Sequence, residues 1–180
     1  MLIEIRIHFA ENSTCAIRRY ERRSTVPNQA NFFGIKCLDL DQGFAHLEMP
    51  TTKEFSNWNG KVMGGVTGAL MDLACGAAVE TLIDFDEEPI ATFSLQTNFT
   101  TPAKIGDVLC AKASTGMTYY VHAGNKFKND NPASIPVIEV PQGGKKILVV
   151  HVSVISKPAR DEIANGNGYF VIFGKKRKQW

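Results

Sequence analysis

The sequence predicts an α+β fold in which a curved antiparallel sheet surrounds one central helix. Segment 64–82 has apolar residues three and four positions apart, and its opposite face is also apolar or small. That pattern is typical of a helix buried inside a protein. Strand-like segments lie before and after it, and no helical pattern follows it. Strands on both sides of a single helix favour a sheet that packs around that helix.

The composition predicts one globular domain. The 180 residues are 44% hydrophobic and 21% charged, which excludes a disordered or fibrous protein. Twenty Lys and Arg against 18 Asp and Glu leave a net charge of +2. A balance this close requires neither a nucleic acid nor a membrane as partner, and we expect neither.

The cysteines and histidines predict reduced thiols and no metal centre. Cys15, Cys37, Cys75 and Cys110 form no C-x-x-C pair, so we expect free thiols in a cytoplasmic protein. The four histidines fall in strand-like segments without the spacing of metal ligands. No uncharged apolar stretch approaches the roughly 18 residues that a membrane span needs.

The first third of the chain predicts strands and one short helix. Ile3 to Phe9 alternates apolar and polar residues, which indicates a strand. Ser13 to Arg23 is a basic segment that favours a short helix. Phe33 to Leu40 and Phe44 to Met49 flank the turn residues Asp41 to Gly43, so we predict a hairpin there.

Four further strands are predicted after the helix, and a Pro- and Gly-rich segment, 125–144, is an insertion between two of them. The predicted strands are Ile90–Thr100, Val108–Tyr120, Lys146–Ser156 and Gly168–Gly174, with a loop over 158–167. The domain organisation is therefore an N-terminal extension over 1–31, a main domain over 32–174 and a basic tail over 175–180.

The helix carries a single acid, Asp72, before Glu80. An ionised carboxylate in such a setting is either paired or used in a cleft. Gly64 and Gly65 lie where the helix begins, so a ligand can approach their backbone N–H groups at the positive end of the helix dipole. A carbonyl oxygen that develops negative charge would be stabilised there. The alternative is a structural carboxylate, with glycines that only permit a tight turn.

Two linked motifs in the middle of the chain resemble a known family. They resemble the hotdog-fold acyl-CoA thioesterases of the phenylacetate-degradation, or PaaI-like, type. The resemblance runs from Phe33 to Ala113 and resumes from Gly144 to Phe173. The matching residues are Asn57, Gly60, Val62, Gly64, Gly65, Val66, Leu70, Asp72, Ala74, Gly76 and Ala77, then Asn98-Phe99 and Pro102-Ala103-Lys104-x-Gly106-Asp107.

The resemblance implies a fold, an activity and a set of site residues. It implies a homodimer or a dimer of dimers (a homotetramer) with sites between subunits, an acyl-CoA thioester as substrate and no cofactor. Asp72 would be the nucleophile or the general base, and the N–H of Gly65 would polarise the thioester carbonyl. Asn57 matches a position that orients water or substrate. Thr92 matches a hydroxyl that in some members faces the Asp across the dimer.

The sequence departs from the family at Met63, where the pattern has His before the two glycines. Methionine makes no strong hydrogen bond, so catalysis would be weaker or use another donor. Met63 and Gly64 would line the substrate site, and Lys104 and Lys157 are candidates to bind the phosphates of coenzyme A, as is the basic tail.

Two other functions remain open at this point. A non-catalytic hotdog protein that binds acyl-CoA or another acyl ligand is one, because Met63 replaces the His. A hydratase on the same fold is the other, although such enzymes pair the Asp with a His five residues later, where this chain has Ala77.

Overall fold

One long helix packs against a sheet of seven strands in the part of the chain that the structure describes. The computed structural model describes residues 29–83, 89–115, 137–139 and 146–173. The elements are α1 (Gln29–Phe33), β1 (Lys36–Asp41), β2 (Phe44–Pro50), a short 3-10 helix (Lys53–Phe55), α2 (Gly64–Glu80), β3 (Ile90–Phe99), β4 (Val108–Thr115), β5 (Val137–Glu139), β6 (Lys146–Lys157) and β7 (Glu162–Ile172).

The sheet is antiparallel throughout and curves around α2. Its strand order is β1-β2-β4-β6-β7-β3, and β5 pairs with the beginning of β6. Six strands at about 4.8 Å spacing are roughly 24 Å wide, about twice the diameter of a helix with its side chains. Because α2 contacts β1 and β3 at the two ends of this order as well as the strands between them, the sheet must bend around it. The predicted α+β architecture is confirmed.

The core lies between α2 and the concave face of the sheet. The side of α2 that faces the sheet is fully apolar except for Thr67, and the helix ends at Glu80, two residues before the predicted end. The buried side of α2 consists of Val66, Thr67, Leu70, Met71, Ala74, Cys75, Ala77, Ala78 and Val79. The buried strand residues of the same core include Leu47, Met49, Leu109, Val150 and Val154.

The predicted hairpin is confirmed, with one correction at its start. β1 and β2 pair with Asp41 opposite Phe44, and Gly43 in the turn has a φ of 69°. Phe33 was predicted to begin the first strand, but it belongs to α1. Packing explains the difference, because the ring centroid of Phe33 lies 5.5 Å from the ring centroid of Phe55. Gly34, with a φ of 66°, then ends the helical turn.

The last strand begins earlier than the sequence predicted. The Asn, Gly and Pro residues of segment 158–167 predict a loop, yet β7 begins at Glu162. Two glycines of β7 lie where a neighbour leaves no room for a side chain. A Cβ at Gly168 would lie 3.0 Å from the side chain of Cys75 in α2. A Cβ at Gly166 would lie 1.9 Å from the backbone oxygen of Gln96 in β3.

Several predictions fall outside the described residues: the N-terminal strand and helix, the basic tail, and the part of the predicted strand Val108–Tyr120 beyond Thr115. Within the insertion over 125–144, the described part is β5, which pairs with β6. None of the helices in the described ranges has the length and apolar character that a membrane crossing requires.

Candidate active site

Asp72 lies on the side of α2 that the sheet does not cover. The residues one turn before it (Gly68 and Ala69) and one turn after it (Gly76) are small and only partly buried, and Gly65, two turns before it, is exposed. A Cβ at Gly68 would meet no atom within 4 Å. Asp72 itself is half-buried. The carboxylate therefore borders open space instead of being sealed in the core.

The carboxylate of Asp72 is held by a threonine from the edge strand. The hydroxyl of Thr92 in β3 donates a hydrogen bond to Asp72 Oδ1 over 2.8 Å. The register of β3 on β7 shifts between Thr92 and Ser94, so Phe93 is an extra, bulged residue. A bulge of this kind re-aims the neighbouring side chains. The resemblance implied a hydroxyl that in some members comes from across a dimer, whereas this contact lies within one chain.

The first turn of α2 offers backbone donors. Met63 precedes the helix and makes no capping hydrogen bond with its side chain. The N–H groups of Gly64 and Gly65 belong to the first turn, where no intrahelical acceptor is available. Gly65 is exposed, and a Cβ there would meet only the end of Met63, at 3.6 Å. These N–H groups can bind an oxygen that carries negative charge.

Asn57 builds a tight loop directly before this helix. Its side-chain oxygen accepts hydrogen bonds from the N–H groups of Asn59 and Lys61, over 2.9 and 3.1 Å. Its backbone N–H donates to the carbonyl of Lys61 over 2.7 Å. The carboxamide oxygen is thus committed to the loop, and the NH₂ group is the part of Asn57 that could meet a ligand. The loop also presents Trp58, which is fully exposed.

The beginning of α2 is bordered by exposed apolar side chains. Met63 is 50% exposed, and the ring of Phe99 in β3 lies 3.1 Å from where a Cβ on Gly64 would be. Phe99 is itself 58% exposed and Phe93 is 70% exposed. β3 ends the strand order of the sheet within the described residues. An edge strand with exposed aromatic rings is typical of a surface that another chain covers.

The two candidate lysines lie in different places. Lys104 is exposed and forms an isolated bridge with Lys61, in the loop that leads to α2. Lys157, by contrast, forms an ion pair with Glu48 on the face of the sheet opposite α2. The structure therefore does not bring Lys157 together with Asp72.

Sequence reasoning missed a cluster on that outer face. His46 and Glu48 alternate along β2 with the buried Leu47 and Met49, so their side chains lie on the other side of the sheet. Cys110 in β4 is directly opposite Glu48 in the register. Atoms of His46, Glu48 and Cys110 that can bind a metal lie within 4.8 Å of one another. The alternation within β2 was a possible signal, but only strand pairing adds Cys110.

Burial and neighbouring charges shift the pKa values of all three groups in this outer-face cluster. Burial, followed by the charge of Lys112, lowers the pKa of His46. The hydrogen bond from Lys157 lowers the pKa of Glu48. Burial, followed by the neighbouring Glu48, raises the pKa of the Cys110 thiol. These shifts favour a neutral imidazole, a carboxylate and a protonated thiol at neutral pH.

A second polar feature lies on the same sheet and contains none of the predicted site residues. It is a groove of about 390 Å³ lined by Asn98, Ser114, His151, Val152, Asn165, Gly166 and Asn167. The side chain of Asn98 donates to that of Asn165 over 3.1 Å. The groove is separate from Asp72 and from the first turn of α2.

Comparisons with known proteins agree with this architecture. Residues 59–117 match the model of the thioesterase superfamily. That segment includes the first turn of α2, Asp72 and Thr92. Among curated proteins, none matches the chain significantly.

Solved structures of similar fold cover most of the chain. The PaaI protein from the phenylacetic acid degradation operon of Escherichia coli has a TM-score of 0.68 and 19% identity, over 91% of this chain and 97% of that one. A Streptococcus mutans protein bound to acetyl-CoA has a TM-score of 0.55 and 19% identity, over 79% and 91%. A mutant of a Staphylococcus aureus thioesterase has a TM-score of 0.59 and 18% identity, over 79% and 96%. The chain therefore has a PaaI-like hotdog fold, with a segment at its centre that matches the thioesterase superfamily.

Proposed function

We propose that the protein is an acyl-CoA thioesterase with Asp72 as its catalytic carboxylate. The observation that carries this proposal is the Asp72 side chain on the open side of α2, with one oxygen held by Thr92 over 2.8 Å. Asp72 Oδ2 has no hydrogen-bond partner among the described residues, so it is available to water or to substrate. The match of residues 59–117 to the thioesterase superfamily supports the same chemistry.

The proposed reaction needs one base and one oxyanion site. Asp72 accepts a proton from water as the water oxygen attacks the thioester carbonyl. The carbonyl oxygen becomes negative and is stabilised by the N–H of Gly65. The C–S bond then breaks, the proton passes to the leaving thiolate, and the products are a carboxylic acid and a thiol. Direct attack by Asp72, through an acyl-Asp72 anhydride that water hydrolyses, would use the same groups.

The spacing along α2 supports a site between two subunits. Asp72 lies seven residues after Gly65, which is about 10 Å along the helix axis. The oxyanion donor must lie about 3 Å from the carbonyl oxygen, and the base must reach a water that lies about 3 Å from the carbonyl carbon. The N–H groups of the first turn point along the helix axis away from Asp72, so a carbonyl bound there lies still farther from that carboxylate. One helix therefore places the two groups too far apart for one thioester. A second copy of the chain can supply the missing half.

The exposed edge of the sheet is where we place the second subunit. Two-fold pairing through β3 would cover Phe93 and Phe99 and would bring two α2 helices side by side in opposite directions. The first turn of one helix would then face Asp72 of the other. In this homodimer, Thr92 and Asp72 come from one subunit and Gly65 comes from its partner. A dimer of dimers is compatible with the same pairing.

Coenzyme A is the proposed carrier of the acyl group. The Streptococcus mutans structure of similar fold holds acetyl-CoA. In this chain, Lys104 is exposed and its backbone forms a bridge with Lys61 in the loop that leads to α2. We propose Lys104 for the phosphates. Met63, Gly64 and the NH₂ group of Asn57 would line the entrance on the same side.

The test is thiol release from a panel of acyl-CoA thioesters, followed with a thiol-trapping dye. We expect Asp72→Asn to lower kcat by about 100-fold or more, with acyl-CoA binding retained. Asp161→Asn, which removes an exposed carboxylate at the β6–β7 turn, is the matched control and should keep full activity. Binding of acyl-CoA without Asp72-dependent thiol release would instead favour the non-catalytic alternative that Met63 suggests.

A further inference from the structure

We propose that His46, Glu48 and Cys110 form a binding site for a thiophilic divalent cation, such as zinc, on the outer face of the sheet. This inference is independent of the proposed thioesterase function, because the three residues lie on the face of the sheet opposite α2 and Asp72. The sequence predicted no metal centre, since the three residues have no ligand spacing in the linear chain.

The strand geometry places the three ligand types together. His46 and Glu48 are two residues apart in β2, so they share one face of the strand. Cys110 is the direct cross-strand neighbour of Glu48, and its sulfur lies 3.4 Å from Glu48 Oε1. One nitrogen, one oxygen and one sulfur within 4.8 Å of one another are a donor set that zinc uses.

The distances are close to those of a coordination sphere. Bond lengths of about 2.0 to 2.3 Å in a tetrahedral zinc site imply ligand separations of about 3.3 to 3.6 Å. The Cys110–Glu48 distance of 3.4 Å already has this value. Rotation of the His46 ring and of the Glu48 side chain would bring the other ligand atoms, now within 4.8 Å of one another, to the same separation. Glu48 is 19% exposed at its side chain, so solvent can reach the fourth position.

One ring nitrogen of His46 is available as a metal ligand. His46 Nε2 is buried and has no hydrogen-bond partner among the described residues. A buried polar atom of this kind costs free energy unless something binds it. A metal ion would use it as a ligand.

Lys157 occupies the place of the cation when no metal is bound. Its ammonium contacts Glu48 Oε1, the same oxygen that accepts from Cys110. Lys157 lies diagonally across from Cys110, because Cys110 pairs with Ile155 in β6. A dication would displace this ammonium and would also meet repulsion from Lys112, which is opposite His46. Lys157 therefore competes with the metal for Glu48.

The experiment is a cobalt(II) titration of the untagged, full-length chain, followed by competition with zinc. Binding through Cys110 gives a thiolate-to-cobalt charge-transfer band in the near ultraviolet, and zinc should abolish it. We expect the band in the wild-type chain and in Cys37→Ser, the matched control for a thiol on a neighbouring strand. We expect it to be lost in Cys110→Ser.

Two further variants separate metal binding from a folding defect. His46→Gln changes a half-buried position and should weaken cobalt affinity by about tenfold or more. Lys157→Met removes the competing ammonium and should increase the cobalt affinity about two- to five-fold. That factor corresponds to the free energy of an exposed ion pair. Circular dichroism checks that each variant is folded. A wild-type chain without the band, a band that survives in Cys110→Ser, or weaker binding by Lys157→Met would overturn the proposal.

Discussion

The hydroxyl of Thr92 lies 2.8 Å from Asp72 Oδ1 and joins the edge strand β3 to the middle of α2. This contact holds one carboxylate oxygen of a side chain that is only half-buried. It depends on the bulge at Phe93, which interrupts the register of β3 at this point. The bulge therefore has two consequences, since it aims Thr92 at Asp72 and turns Phe93 toward the exterior.

Thr92 should act as a positioning residue for Asp72. Thr92→Val keeps the shape of the side chain but removes the donor, and a hydrogen bond to a charged group is worth about 1.5 to 3 kcal/mol. We expect kcat to fall roughly 10- to 100-fold with little change in KM. Thr92→Ser keeps a hydroxyl and should retain most of the activity. Equal kcat values for the Val and Ser variants would contradict a role for the hydroxyl.

Phe93 should be required for the subunit contact. Phe93→Asp places a charge on the exposed edge of the sheet, so it should shift the protein to monomers and lower activity with them. Phe32→Asp is the matched control, because Phe32 is 76% exposed on α1, which precedes β1 at the other end of the strand order. Light scattering gives the oligomeric state of each variant. An unchanged dimer in Phe93→Asp would exclude pairing through this edge.

Cys75 should be protected from alkylation in the folded protein. Burial raises the pKa of its thiol, and the charge of Asp72 raises it further. Since the thiolate is the reactive form, iodoacetamide should modify the half-buried Cys37 before the buried Cys75, and Cys75 only after unfolding. Mass spectrometry of peptides from native and urea-treated protein measures this. Rapid native modification of Cys75 would show that α2 does not pack against β7 as described.

Gly166 should tolerate no side chain. A Cβ there would overlap the backbone oxygen of Gln96, and relief of that overlap requires β3 and β7 to separate. We expect Gly166→Ala to lower the free energy of unfolding by roughly 1 to 3 kcal/mol or more. Ser153→Ala, which removes an exposed side chain from the neighbouring strand β6, is the matched control and should change it by less than about 0.5 kcal/mol. Urea denaturation compares the two, and equal effects would argue against the close strand approach.

The sequence predicts the elements with strong periodicity better than those that depend on distant partners. The apolar spacing of α2 and the turn residues of the first hairpin were sufficient to locate both. The beginning of β7 was missed because Gly166 resembles a turn residue, and only the proximity of Gln96 explains it. Phe33 was misassigned for a similar reason, since its ring packs on Phe55, which lies 22 residues later.

In the candidate site, too, features set by one segment can be predicted from the sequence, and features set by distant residues cannot. Asp72 and Gly65 could be identified from one helical segment, because both depend on positions along α2. Thr92 could be named as a site residue only through the resemblance to a family. That its hydroxyl contacts Asp72 of the same chain is visible only in the structure. The outer-face cluster was invisible in the sequence, because Cys110 lies 62 residues from Glu48 and joins it only through the pairing of β2 with β4.

The central claim is that Asp72 and Gly65 act on one thioester from different subunits. It can be tested with two inactive variants. Asp72→Asn removes the carboxylate, and Gly65→Pro removes the proposed oxyanion donor at a position in the first helical turn where proline is tolerated. Loss of one such donor should cost about 100- to 1000-fold in kcat. Gly65→Ala keeps the N–H and is the matched control.

The decisive measurement is the activity of mixed dimers formed by co-expression of the Asp72→Asn and Gly65→Pro chains, each with a different affinity tag. In a mixed dimer, one site carries both substitutions and the other carries neither. We therefore predict that purified mixed dimers recover about half of the wild-type thiol release per dimer. Mixed dimers as inactive as either parent would contradict a site shared between subunits.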